Sequence, residues 1–169
     1  MTSEHTGYGE RAGRFFLGDR GAVAARCRDF CRAVLADWDW PGPARTGGPT
    51  REERALALED VLLVVSEAVT NACLHAGGPT DLVVRPAPAG GVRIEVGDRS
   101  GRVPRTRPRD APGRPGGNGL VVIDRLTRAW GATPREGGKY VWMEIAAPGA
   151  RETPAPQAPR AGPSHSRPL

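Results

Sequence analysis

With 169 residues, a quarter of them charged (25%), and a formal net charge of +5, the chain is long enough for one domain with a buried core. No apolar run approaches the length of a membrane span, so no membrane role is expected and a cytoplasmic location is. Lys139 is the sole lysine, and the arginines are scattered except for one concentration between residues 99 and 114. Without interleaved aromatics they offer no stacking surface, and direct nucleic-acid binding is not expected.

Residues 1–13 lack an apolar period and are expected to be loose, whereas 14–17 read as a short strand. Across 21–38, Val23, Cys27, Phe30, Val34 and Leu35 recur at helical spacing. A turn-rich connector at 41–49 leads to a long helix over 51–75, which stops at Gly77-Gly78-Pro79. Strands are expected over 81–85 and 91–97, the second alternating Val92, Ile94 and Val96 with Arg93 and Glu95. Residues 98–117 hold almost nothing apolar, and roughly twenty such residues inside a compact domain predict a functional lid or disorder. Leu120, Ile123, Leu126 and Trp130 form one stripe of a helix over 120–130. Gly137-Gly138 then turns the chain into a closing strand over 139–145, where Val141, Met143 and Ile145 alternate. Beyond residue 147 Pro, Ala, Arg and Ser dominate; a disordered tail over 148–169 is expected, leaving 14–147 as the folded domain.

Strand runs joined by hairpins, with helices between them, predict an α+β fold: a two-layer sandwich with a mixed, mostly antiparallel sheet and helices on one face. The cysteines, Cys27, Cys31 and Cys73, have no zinc-type spacing and read as residues of a reducing compartment.

Glu67 and Asn71 stand four apart on the long helix, one above the other on one face, inside an otherwise apolar run. A carboxylate and a carboxamide beside a core are costly unless paired. Either a buried pair bonded to neighbouring backbone or a ligand site accounts for them. Asn can offer a neutral oxygen to Mg2+, which keeps several waters and takes its other ligands from phosphates. Glu can orient or deprotonate a nucleophile. His75 continues toward the same side one turn later, or satisfies the last carbonyls of the helix. Asp98 ends a strand and opens the long loop, either as a turn initiator or as an acceptor for the exocyclic amine of adenine. Gly116-Gly117-Asn118-Gly119-Leu120 opens a helix, where small residues and free N–H groups suit a phosphate, with Asn118 alternatively an N-cap. The Walker and dinucleotide fingerprints are both absent.

Taken together, Glu67-x3-Asn71-x3-His75 on a helix, Val96-Gly97-Asp98 ending a strand, a lid, and Gly117-Asn118-Gly119-Leu120 opening a helix form a recognisable series. The series resembles the histidine-kinase-like ATPase superfamily with its Bergerat ATP-binding fold. Within that superfamily it is most similar to bacterial anti-sigma-factor serine/threonine kinases and related short single-domain ATP-binding regulators. The resemblance covers residues 14–145 and includes Trp130-Gly131 and Gly138-Lys139-Tyr140-Val141-Trp142.

The resemblance implies ATP and Mg2+ as cofactors, with Asn71 as the metal ligand and Glu67 as general base. It implies adenine recognition by Asp98, nucleotide contacts from Gly101 and His75, and phosphates along Gly117, Asn118, Gly119 and Leu120. A sigma factor and an anti-anti-sigma protein are the implied partners, and a homodimer is a further expectation. Two positions depart from the family pattern. Asp-x-Gly-x-Gly reads Asp98-Arg99-Ser100-Gly101-Arg102, and Tyr140 stands where the closing strand often has a threonine. A non-catalytic ATP-binding or partner-binding module is the alternative function.

Overall fold

The computed structural model of the protein describes residues 12–17, 21–42, 48–102, 104 and 119–150. Strand β1 (Gly13–Phe16) leads into helix α1 (Val23–Asp37), whose Cys27, Cys31 and Leu35 are buried. Helix α2 (Arg51–His75) begins at a reciprocal cap. Thr50 Oγ1 accepts from the Glu53 backbone N–H at 3.1 Å, and the Thr50 N–H donates to Glu53 Oε2 at 2.7 Å. Glu52 and Glu53 in its first turn complement the positive end of the helix. At the other end Gly77 and Gly78 take positive φ of 72° and 104°, and the Gly78 N–H reaches back to the Ala72 carbonyl at 3.0 Å.

Strands β2 (Pro79–Pro86) and β3 (Val92–Asp98) form a hairpin, followed by helix α3 (Gly119–Leu126) and the hairpin β4 (Ala129–Arg135) and β5 (Gly138–Ile145). The sheet order is β1-β2-β3-β5-β4 and all four pairings are antiparallel. The expected two-layer α+β sandwich is therefore present, with its sheet wholly antiparallel among the described residues.

Register decides which side chains meet the helices. Leu82 pairs with Val96, Val96 with Val141, Val84 with Ile94, and Ile94 with Met143, so these residues share one face. They join Val61, Val64, Val65, Val69 and Ile123 in the core. Helix α2 lies across that face and packs against α1 and α3 on its two sides. Apolar residues consequently occupy most of its circumference, as expected for a helix buried against neighbours on three sides.

One predicted element ends differently. Trp130 was expected on the stripe of the third helix, but it lies in β4. The Thr127 N–H and hydroxyl both bond the Ile123 carbonyl, at 3.0 and 2.7 Å, closing the helix. The Arg128 N–H then donates to the Glu144 carbonyl at 2.8 Å and pairing with β5 takes over. The expected tail and most of the expected lid lie outside the described residues. No helix among the described residues is long and apolar enough to cross a membrane.

Candidate functional site

The helix layer brings Glu67 and Asn71 against the start of α3. Both are half-buried on α2, while their neighbours Ala68, Val69 and Ala72 are buried. Ser66, just before them, is satisfied locally: its hydroxyl donates to the Leu62 carbonyl at 2.8 Å and accepts from Arg28 at 3.0 Å. Asn71 is not. Its Nδ2 is buried with no hydrogen-bond partner among the described residues. Leaving such a donor unmade costs about 1–3 kcal/mol, so an acceptor arriving from outside would recover that energy.

Gly119 closes the arrangement. A methyl group there would fall 2.7 Å from Glu67 Oε2 and 3.1 and 3.2 Å from the amide atoms of Asn71. The missing side chain lets the N-terminal turn of α3, whose first N–H groups have no partner within the helix, approach the acid–amide pair directly. A glycine cradle, an orphaned buried amide and a carboxylate thus meet where α2 and α3 touch. That donor set suits a hydrated Mg2+ with phosphate, which needs few protein ligands. Among the described residues no group of three or more His, Cys, Asp or Glu is placed to hold a metal by itself.

Asp98 forms a second centre. Counting along β3, it is in phase with Val92, Ile94 and Val96 and so faces the helix side. Its cross-strand partner on β5 is Lys139, itself in phase with Val141, Met143 and Ile145. The two form an ion pair at 2.8 Å with side chains only 3% and 6% exposed. Oδ1 of Asp98 also accepts from the Ser100 N–H at 2.8 Å, and Lys139 Nζ donates to the Ser100 carbonyl at 2.9 Å. Buried charges persist only when paired and hydrogen-bonded, and here each is. The sequence reading did not assign Lys139 to the site. The signal was available: a lysine in phase with a core-facing row requires a carboxylate opposite.

The remaining candidates fall in different surroundings. His75 is exposed in the last turn of α2, and Gly101 is exposed, with none of the described residues near where a Cβ would sit. Leu120 packs against the core. Gly117 and Asn118 lie outside the described residues, as do Arg105, Arg107, Arg109 and Arg114. Tyr140 projects from the helix-free face, where its hydroxyl donates to Asp81 Oδ2 at 2.7 Å and accepts from Arg135 at 2.7 Å and from Arg14. It therefore does not supply a hydroxyl on the side of Asp98. Burial pushes the carboxyl of Asp81 up, but bonds from Tyr140, Arg14 and Thr80 and the charge of Arg135 outweigh it and hold it below its usual range. Burial, and donation to Asp81, push the Tyr140 phenol up. Gly97 beneath leaves room for this cluster: a Cβ there would push into Asp81, Arg135 and Thr80, whose polar ends would have to shift.

An antiparallel sheet covered on one face by helices, with an acid–amide pair abutting a glycine helix start, defines a two-layer α+β sandwich with a polar site in its helix layer. The family model of the histidine kinase-like ATPase domain matches residues 19–145, and the chain belongs to that family. ATP is accordingly the ligand the domain implies. No curated protein matches the chain.

Proposed function

We propose that this protein is a Mg-ATP-dependent serine/threonine kinase that regulates transcription as an anti-sigma factor. In this reading it phosphorylates an anti-anti-sigma protein and binds a sigma factor when that partner is absent. The observation that carries the reading is the convergence of Glu67, Asn71 and Gly119, which gathers a carboxylate, a carboxamide and a helix N-terminus at one point.

In this scheme Asn71 would hold Mg2+ through its amide oxygen, and its orphaned Nδ2 would meet an oxygen of the bound phosphates or a metal-bound water. The metal, when bound, would neutralise charge on the phosphates. Glu67 would accept the proton of the partner's serine hydroxyl, and the Gly119 turn would line the phosphates through backbone N–H groups. Asp98 would accept from the adenine amine.

One observation favours the alternative, a binding module without transfer. The first glycine expected after Asp98 is displaced by one position, so that Ser100 stands in its place and Gly101 follows. Glu67→Ala separates the readings. With a phosphorylatable partner in single turnover, the variant should bind ATP normally and transfer phosphate about 100-fold or more slowly. Transfer at the wild-type rate would remove Glu67 as the base. ATP binding without transfer by the wild type would favour the module.

A further inference from the structure

We propose that Lys139 is the positioning residue of base recognition, holding Asp98 so that one carboxylate oxygen alone is left for a purine amino group. The inference rests on the ATP-binding reading above and adds a residue that reading does not contain.

Oδ1 of Asp98 is taken by two donors, Lys139 Nζ at 2.8 Å and the Ser100 N–H at 2.8 Å. The ammonium also donates to the Ser100 carbonyl at 2.9 Å, so strand β5, the carboxylate and the backbone of the following loop form one closed ring. Turning the carboxylate would break both bonds to Oδ1. Among the described residues Oδ2 accepts no hydrogen bond. The support behind this ring is stiff. Asp98 and Lys139 are register partners, and Gly138 lacks the side chain that would collide with the Asp98 carbonyl and Arg99.

An ionised carboxylate accepts and does not donate. The remaining oxygen therefore suits the 6-amino group of adenine and meets the 6-oxo group of guanine or hypoxanthine lone pair to lone pair. A buried site built for one hydrogen bond discriminates strongly against the analogue that cannot make it, because its polar group is left unpaired. Freed from Lys139, the carboxylate could turn or draw in water, and the discrimination would fall while the phosphate end stayed intact.

The test is calorimetry of the full chain with ATP, inosine triphosphate and inorganic tripolyphosphate, for wild type, Lys139→Met and Lys139→Arg. The wild type should prefer ATP over inosine triphosphate by about tenfold or more. Lys139→Met should lose most of that preference, keep its tripolyphosphate affinity, and be rescued at least in part by Lys139→Arg. A wild type that does not bind ATP defeats the ATP-binding reading itself. A wild type that prefers ATP, with Lys139→Met equally selective or binding ATP more tightly, overturns the role of Lys139 and leaves that reading standing.

A second measurement needs no variant. Because Lys139 is the only lysine, 15N-lysine labelling yields a single ammonium resonance. It should shift on saturation with ATP and stay in place with tripolyphosphate. An unmoved signal with ATP bound would overturn the inference even if Lys139→Met failed to fold.

Discussion

Replacing Gly119 by alanine tests the contact between α2 and α3 with a single methyl group. That methyl would lie 2.7 Å from Glu67 Oε2, so the carboxylate must retreat by about 0.7 Å to reach an ordinary 3.4 Å contact, while the Asn71 amide atoms at 3.1 and 3.2 Å need give only a few tenths of an ångström. Both neighbours are ends of side chains and can move. An off-rotamer side chain costs about 0.5–1.5 kcal/mol, and alanine in place of a glycine without positive φ gains back about 0.4–1 kcal/mol by restricting the unfolded chain. Stability should therefore change by less than about 1 kcal/mol, a few degrees in Tm for a domain of this size. Function should change far more. A misplacement approaching 1 Å in a reacting group can cost on the order of 100-fold, and the Mg-dependent part of ATP affinity should fall about tenfold as Asn71 is crowded. Thermal melts would be paired with calorimetry of ATP in the presence and absence of Mg2+. Wild-type Mg-ATP affinity in a folded Gly119→Ala protein would refute the assignment of this contact to the nucleotide. A collapse of Tm with unchanged affinity would show that the glycine serves packing alone.

The outer-face cluster gives a pH prediction. Asp81 has its folded-state carboxyl held below the ordinary range, so its contribution to stability is present above the unfolded value near about 3.9 and is lost as pH falls through the lower folded value. Asp81→Asn should cost about 2–3 kcal/mol near neutrality, and the gap to wild type should close in acid; a gap independent of pH would contradict the ion-pair account. The thiols give a simpler check. Burial raises Cys27 to about 11 and pushes Cys31 further up, while Cys73 is exposed. A thiol reagent at neutral pH should modify Cys73 alone in the native protein and all three cysteines in denaturant; fast native labelling of Cys27 would refute their burial.

Much of the scaffold was legible because its periods are strong. The alternation of Val92, Ile94 and Val96 marks β3, and the dense run from Val61 to Ala72 marks a helix buried on several sides. Glu67 and Asn71 were legible for the same reason: polar residues stand out in an apolar run. Two local signals went unread. Thr50 and Glu53 spell a capping box, and Lys139 stands in phase with a core-facing row. Trp130 misled the reading because a helical stripe continues past Leu126 in the sequence, whereas the chain leaves the helix once β5 offers the Arg128 N–H a carbonyl.

The sequence by itself thus determined where the elements lie, which faces are apolar, and which polar residues needed an explanation. Those properties come from spacing along the chain and need no knowledge of neighbours. Only the tertiary structure decided that β3 sits beside β5, which joins Asp98 to Lys139, and that Tyr140 turns to the opposite face toward Asp81. It alone decided that Gly119 touches Glu67 and Asn71. Such contacts join residues far apart in the chain, and they depend on strand order and helix packing, which no local period encodes.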